Sequence, residues 1–379
     1  MKIAILLGPF QPMPPAGFGA VEKVWCELGR AFAEKGHTVT IVGRGSPGEQ
    51  RAGEREGLRF VALRGFDATG NIAVDLMLDL LYAIRIVSRM PWADIAVTNS
   101  FWAPVILAPF QRRKGRIVVH AARFPKGQMR LYRNSAAIQA ISPAVADAIR
   151  AQTPAIAGKV RVLGYPVDLS IFTPGDPVQA GAIRHSVLYV GRVHPEKGIH
   201  LLVEAFRRVV EKVPDATLEI VGPSEESRGG GGEAYLRKLE SLSRGLKVKF
   251  TGPLADERAV ASAYRRASCF CYPSIAERGE ALGLAVLEAM ACGTPCVISA
   301  LECFGDFARH GENAIVFDHR LPDAAGRLSN ALCSVLLDPN LASTLGARAR
   351  TDAARFSVDR ISDQYLRLFE SVITGSATP

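Results

Sequence analysis

Several features are missing from this chain, and each absence narrows the reading. No D-x-D triplet occurs in its 379 residues, so the short acidic pair that commonly holds a divalent ion is not available, and no metal is expected. The seven cysteines do not fall at zinc-ligand spacings: Cys269-x-Cys271 alternates along an apolar run and Cys292-x3-Cys296 straddles a turn, with histidine sparse nearby. An odd number of cysteines in apolar surroundings reads as reduced core thiols of a cytoplasmic protein. No apolar run reaches the length of a membrane span; the best candidate, Ile72 to Met90, carries Asp75, Asp79, Arg85 and Arg89. The chain opens directly on a strand, Lys2 to Leu7, and no signal peptide is expected. A glycine loop follows, but Gly17-x-Gly19 has Glu22 where the dinucleotide fingerprint needs a third glycine, which disfavours an NAD-dependent enzyme.

One more absence is regional. Between Asp94 and Asp147 there is no acid at all. That window holds Arg112, Arg113, Lys114, Arg116, Arg123, Lys126, Arg130 and Arg133, interleaved with Phe101, Trp102, Phe110, Phe124, Met129, Leu131 and Tyr132. Residues 1–170 carry 22 Lys+Arg against 12 Asp+Glu, and the rest 24 against 25, so the whole excess of +9 sits in the first half. Such a surface suits an anionic membrane face or lipid phosphate. It would also suit nucleic acid, or serve only as a solvated face.

What is present points to a globular α/β chain of two domains. The composition is 48% hydrophobic and 22% charged, and the length is long for one domain. Strand-type runs at Lys2–Leu7, His37–Val42, Leu58–Leu63, Ile95–Thr98, Arg116–His120 and Ala137–Ile141 alternate with helical patterns, the first being Val21, Val24, Trp25, Leu28 and Phe32. That alternation predicts a parallel, doubly wound sheet. Pro166, Pro174 and Pro177 mark a boundary, and Val187–Val190 opens a second sheet continued by Leu218–Val221 and Val248–Gly252. Ser224 to Gly232, with four consecutive glycines, reads as a plain mobile connection.

The stretch from Tyr272 to Ser299 organises the rest. Cys269–Tyr272 is a strand, Ser274–Ala281 a polar loop, Leu282–Ala291 a largely buried helix stopped by Gly293-Thr294-Pro295, and Cys296–Ile298 the next strand. The loop therefore lies at the carboxyl end of a parallel strand, where open α/β sheets bind ligands. The helix start at Gly283-Leu284 suits a phosphate. Glu280 and Glu288 bracket it. Glu288 sits among apolar neighbours and needs a polar partner, either a nearby cation or a ligand.

Set within PSxxxxxExxGxxxxEAMACGTP, this Glu280-x7-Glu288 pair resembles the motif of retaining glycosyltransferase family four. The Gly191-Arg192-x3-Glu196-Lys197-Gly198 loop resembles a second motif of the same family. The resemblance implies the GT-B fold, with two Rossmann-like parallel-sheet domains facing a central cleft. The expected limits are 1–168 for the acceptor-side domain, 169–355 for the nucleotide-sugar domain, and 356–379 for a last helix crossing back onto the first. It implies transfer of a sugar from a nucleoside-diphosphate sugar to an acceptor with retention, in cell-surface glycan or glycolipid synthesis, with no cofactor and no metal.

The resemblance also implies site roles. Arg192 and Lys197 would stabilise the leaving diphosphate together with the Gly283-Leu284 helix start. Glu280 would contact the hydroxyls of the transferred sugar and Glu288 those of the ribose. His120, ending its strand, would contact the donor sugar. Gly17 or Gly19 would approach the diphosphate, Gly19 the better choice. Phe250 and Thr251 lie where the family holds the base with backbone groups. Tyr165-Pro166 stands in place of the family's usual Asn-Gly, which stiffens the hinge. The acceptor is expected to be lipid-linked or anionic, met at the inner face of the cytoplasmic membrane, with no nucleic acid involved. A sugar-nucleotide epimerase of the same architecture would need a carboxylate cluster in the first domain, and none is visible. A nucleic-acid-binding protein would explain the basic window but not Glu280 and Glu288.

Overall fold

The computed structural model describes residues 1–13, 20–45, 52–175 and 184–375. The chain divides into two compact units, 1–166 with 358–379, and 167–357.

In the first unit, β1 (Lys2–Leu6) is followed by α1 (Ala20–Glu34), β2 (Thr38–Gly45), β3 (Leu58–Leu63) and α2 (Ile72–Arg89). Then come β4 (Ile95–Thr98), β5 (Arg116–Ala121), β6 (Ala137–Ala140), α3 (Pro143–Gln152) and β7 (Val160–Val162). From edge to edge the sheet runs Ala52–Arg55, β3, β2, β1, β4, β5, β6, β7. It is parallel except for the antiparallel edge strand Ala52–Arg55. Central β1 pairs Ile3 with Val39 on one side and with Ile95 on the other. Ile3 to Leu6 are all buried, as a strand covered on both faces must be. The second strand runs to Gly45, longer than the apolar pattern suggests, because Thr40 to Arg44 also pair with β3. Ser142 caps α3, accepting the Val145 N–H, and Pro143 follows at the first helical position.

The second unit holds β8 (Ser186–Val190), α4 (Ile199–Lys212), β9 (Thr217–Val221), α5 (Gly232–Leu242), β10 (Val248–Gly252) and α6 (Glu257–Arg266). These are followed by β11 (Cys269–Tyr272), α7 (Leu284–Ala291), β12 (Cys296–Ser299), β13 (Ile315–Phe317), α8 (Ala324–Leu337) and α9 (Pro339–Ala353). Its sheet is fully parallel, in the order β10, β9, β8, β11, β12, β13.

A final helix, α10 (Val358–Thr374), belongs to the first unit and packs on α1. Tyr365 meets Trp25 edge-on at 5.4 Å and Phe369 meets Phe32 at 5.7 Å. Lys35 on α1 pairs with Asp359 and Asp363.

Two expectations change here. The helix after the organising loop begins at Leu284, not Leu282, because Gly283 adopts φ 78° and ends the loop in a left-handed turn. A Cβ there would lie 2.4 Å from Phe304 Cε1, so glycine is required by space as well as by backbone. The run from Ser224 to Gly232 is a packed structure, not a plain connection. Gly230 donates to Glu225, Gly231 to Val193 and Gly232 to Ser224, all by backbone N–H at 2.8–2.9 Å.

All seven cysteines are free and buried. Burial pushes the Cys26 thiol up to about 11 and those of Cys269 and Cys292 up to about 12. No helix among the described residues is long and apolar enough to cross a membrane.

Candidate active site

Adjacent parallel strands β8 and β11 release their loops at the same edge of the second sheet. The β8 loop carries Arg192, Glu196 and Lys197. The β11 loop carries Glu280. The two are laced together: Ile275 N–H donates to the Glu196 carbonyl at 3.0 Å and Ser274 Oγ to the same carbonyl at 3.3 Å. At Gly198, with φ 67°, a Cβ would stand 2.1 Å from the Pro273 carbonyl oxygen, so only glycine lets the loops approach this closely.

This lacing places Lys197 Nζ 2.6 Å from Glu280 Oε2, with the side chains 6% and 10% exposed. Tyr272 Oη donates to the same oxygen at 2.8 Å, and Lys197 Nζ lies 5.7 Å from the Tyr272 ring centre. Tyr189 stacks on Tyr272 at 5.9 Å and donates to the Arg192 carbonyl at 2.9 Å. Burial first, and the Glu280 charge second, hold both phenols well above their usual range, so both stay protonated donors.

Arg192 is oriented at both ends of its fork. Nη1 donates to the Gly229 carbonyl and Nη2 to Glu196 Oε1, each at 2.7 Å, while the side chain remains 42% exposed. The glycine run thus serves Arg192 directly. On the same β11 loop, Glu277 Oε1 meets His319 Nε2 at 3.0 Å. Glu288, half-buried on α7, accepts from Tyr264 Oη at 3.1 Å. Thr251 on edge strand β10 donates to Glu219 at 2.6 Å, and Phe250 beside it is half-buried.

His120 lies in the first unit, at the carboxyl end of β5. Its Nδ1 faces Gln139 Oε1 and its Nε2 lies 2.8 Å from Tyr165 Oη, with the two rings stacked at 5.5 Å. Trp25 meets it edge-on at 5.2 Å. Gly17 and Gly19 lie outside the described residues. Among the described residues there is no cluster of three or more His, Cys, Asp or Glu able to hold a metal ion.

The structure therefore joins Lys197 to Glu280, three residues before the helix start at Gly283, and ties Arg192 to Glu196 of the same β8 loop, while Glu288 and Thr251 take other partners. Three contributors carried no role in the sequence reading. Tyr272 precedes the organising loop as an ordinary apolar strand end. Glu196 is part of the Gly191–Gly198 motif, but the motif assigns it no role. Gln139 is a fully buried polar residue on a strand, which no local pattern marks.

Two family models match this chain, Glycosyltransferase Family 4 over residues 21–171 and Glycosyl transferases group 1 over residues 183–352. The chain belongs to glycosyltransferase family 4. Among curated relatives, the D-inositol 3-phosphate glycosyltransferase of Rhodococcus jostii is 30% identical over 220 residues, covering 56% of this chain and 47% of that protein. The phosphatidyl-myo-inositol mannosyltransferase of Mycobacterium leprae is 32% identical over 197 residues, covering 51% and 48%. The matched part spans about half the length of these relatives. Among solved structures, the sucrose-phosphate synthase of Thermosynechococcus elongatus superposes with a TM-score of 0.80 at 24% identity, covering 99% of this chain and 100% of that one. Anabaena HepE in complex with UDP and glucose superposes at 0.72 with 20% identity, covering 98% and 100%. The two parallel-sheet units make up the GT-B fold.

Proposed function

We propose that this family 4 chain transfers a sugar from a nucleoside-diphosphate sugar to an acceptor, with retention of configuration and without a metal ion. The observation that carries the reading is the buried Lys197–Glu280 pair beside the oriented Arg192 fork, all at the carboxyl edge of one parallel sheet. As the sugar–phosphate bond breaks, negative charge grows on the departing diphosphate. Arg192, Lys197 and the Gly283-Leu284 helix start would stabilise it. Glu280 would accept from the sugar hydroxyls and Glu288 from the ribose. His120, as a neutral imidazole, would face the sugar, Gly17 or Gly19 the diphosphate, and Phe250 and Thr251 the base.

The acceptor in this reading is anionic or lipid-linked, and the enzyme works at the inner face of the cytoplasmic membrane. Two curated relatives are named for an inositol phosphate and a phosphatidyl-inositol, which supports a phosphate-bearing acceptor. A second support is α2, whose outward side is apolar. Met77, Leu81 and Ile84 are 56%, 49% and 53% exposed, and Asp79 of the same helix is buried.

A thermal-shift screen of nucleoside diphosphates and their sugars tests the donor. A bound nucleotide at about 100 times its dissociation constant stabilises by roughly 2.7 kcal/mol. The identified sugar nucleotide should then support transfer in excess EDTA, with the donor's anomeric configuration kept in the product. No shift with any nucleotide would end the reading, and activity that dies with EDTA and returns with Mg²⁺ would end its metal-free form.

A further inference from the structure

Both cations of the proposed donor site already hold acid partners, but in different surroundings. Arg192 and Glu196 are 42% and 32% exposed, and such a pair exchanges partners with water and ions at little cost. Lys197 and Glu280 are 6% and 10% exposed. Taking one member away from a buried pair leaves the other as an uncompensated charge. A diphosphate that draws Lys197 to itself would therefore strand Glu280 as a buried anion beside a second anion. Tyr272 gives that carboxylate only one hydrogen bond, on the oxygen that Lys197 also uses. Sugar hydroxyls are the donors that could satisfy it.

Resting on the donor-site reading above, we propose that Glu280 is the site's specificity-determining residue through competition. It contends with the diphosphate for Lys197, and only a donor that brings sugar hydroxyls releases the lysine. The site then prefers a sugar nucleotide to the bare diphosphate. Once the sugar has left, Glu280 takes Lys197 back and the diphosphate product loses a cation. Recognition of the sugar and release of the spent nucleotide become one exchange of partners.

The test is calorimetric titration of UDP, GDP, UDP-glucose and GDP-mannose into the full chain and its variants. Glu280→Gln should bind whichever diphosphate the native chain accepts about tenfold tighter, about 1.4 kcal/mol, and bind the matching sugar nucleotide no tighter than native. In a Lys197→Ala background the same change should add nothing, because the contested lysine is gone. The native chain should also bind the diphosphate more tightly when free glucose or mannose is present at high concentration. This last arm needs no variant and decides the matter if Glu280→Gln fails to fold. A Glu280→Gln protein with unchanged or weaker diphosphate affinity overturns the competition while leaving the donor site standing. So does a free sugar without effect on a native chain that binds the diphosphate. A native chain that binds none of these four, nor any nucleotide of the thermal-shift screen, overturns the donor-site reading, and the competition falls with it.

Discussion

His120 lies one residue before the end of β5 with both ring nitrogens engaged. Gln139 Nε2 donates to the Leu163 carbonyl, so Gln139 turns its oxygen to the imidazole and Nδ1 must carry the proton. Nε2 is then the acceptor, and Tyr165 Oη donates to it. Burial holds the ring at about 4, partly offset by the Gln139 bond. The unfolded chain takes up a proton near 6.5, so between 6.5 and 4 the unfolded state binds more protons. The stability from this group is complete above 6.5 and is lost as pH falls towards 4, about 3 kcal/mol over the window. We expect His120→Asn to flatten the acid side of the stability curve, measured by urea unfolding from pH 7 to 4. Parallel curves for native and variant would show that His120 is not the group. The strand-end position of His120 was visible in the sequence, and Tyr165 stood out as a departure from the family's linker. Their contact was not visible, because it joins residues 45 positions apart.

At the scale of elements, the strands were the most legible part, since parallel strands buried on both faces read as unbroken apolar runs. Cys269–Tyr272 has the expected limits, and β12 runs one residue further than expected, to Ser299. The glycine run at 229–232 was not legible, because what it packs against lies far away in sequence. A Cβ on Gly231 would stand 2.8 Å from Pro195 Cδ and 2.9 Å from Tyr235 Cδ1, and Pro195 belongs to the loop that carries Arg192 and Lys197. Overpacking of this kind costs roughly 1–3 kcal/mol. Gly231→Ala should therefore lower the melting temperature modestly and weaken nucleoside-diphosphate binding several-fold. Unchanged affinity in titration would return the loop to the status of a passive connection.

At the scale of the whole molecule, the charge excess of the first half was legible by counting, but the face of α2 was not. The same residues read in sequence as a failed membrane span. Only the packing of Tyr82, Ala83, Ile86 and Val87 inward decides that Met77, Leu81 and Ile84 point out. A helix with a bare apolar stripe and arginines at its end, Arg85 and Arg89, is suited to lie in a lipid interface. Each basic residue near an anionic leaflet adds about 1 kcal/mol. The chain should pellet with phosphatidylglycerol-containing vesicles at low salt and release at high salt. It should lose this on Met77→Glu with Leu81→Glu, and weaken when Arg112, Arg113 and Lys114 become Glu. Equal pelleting with neutral and anionic vesicles, or retention by the Met77 and Leu81 variant, would refute the membrane reading.

The seven buried thiols make the native chain a poor target for alkylation at neutral pH, since the thiolate is the reactive form and burial suppresses it. Four of them, Cys269, Cys271, Cys292 and Cys296, line the strands and helix that carry the candidate site. Maleimide or iodoacetamide uptake mapped to these four thiols thus counts openings of that region, and a single cysteine placed on the outer side of α2 would take a fluorophore against a silent background.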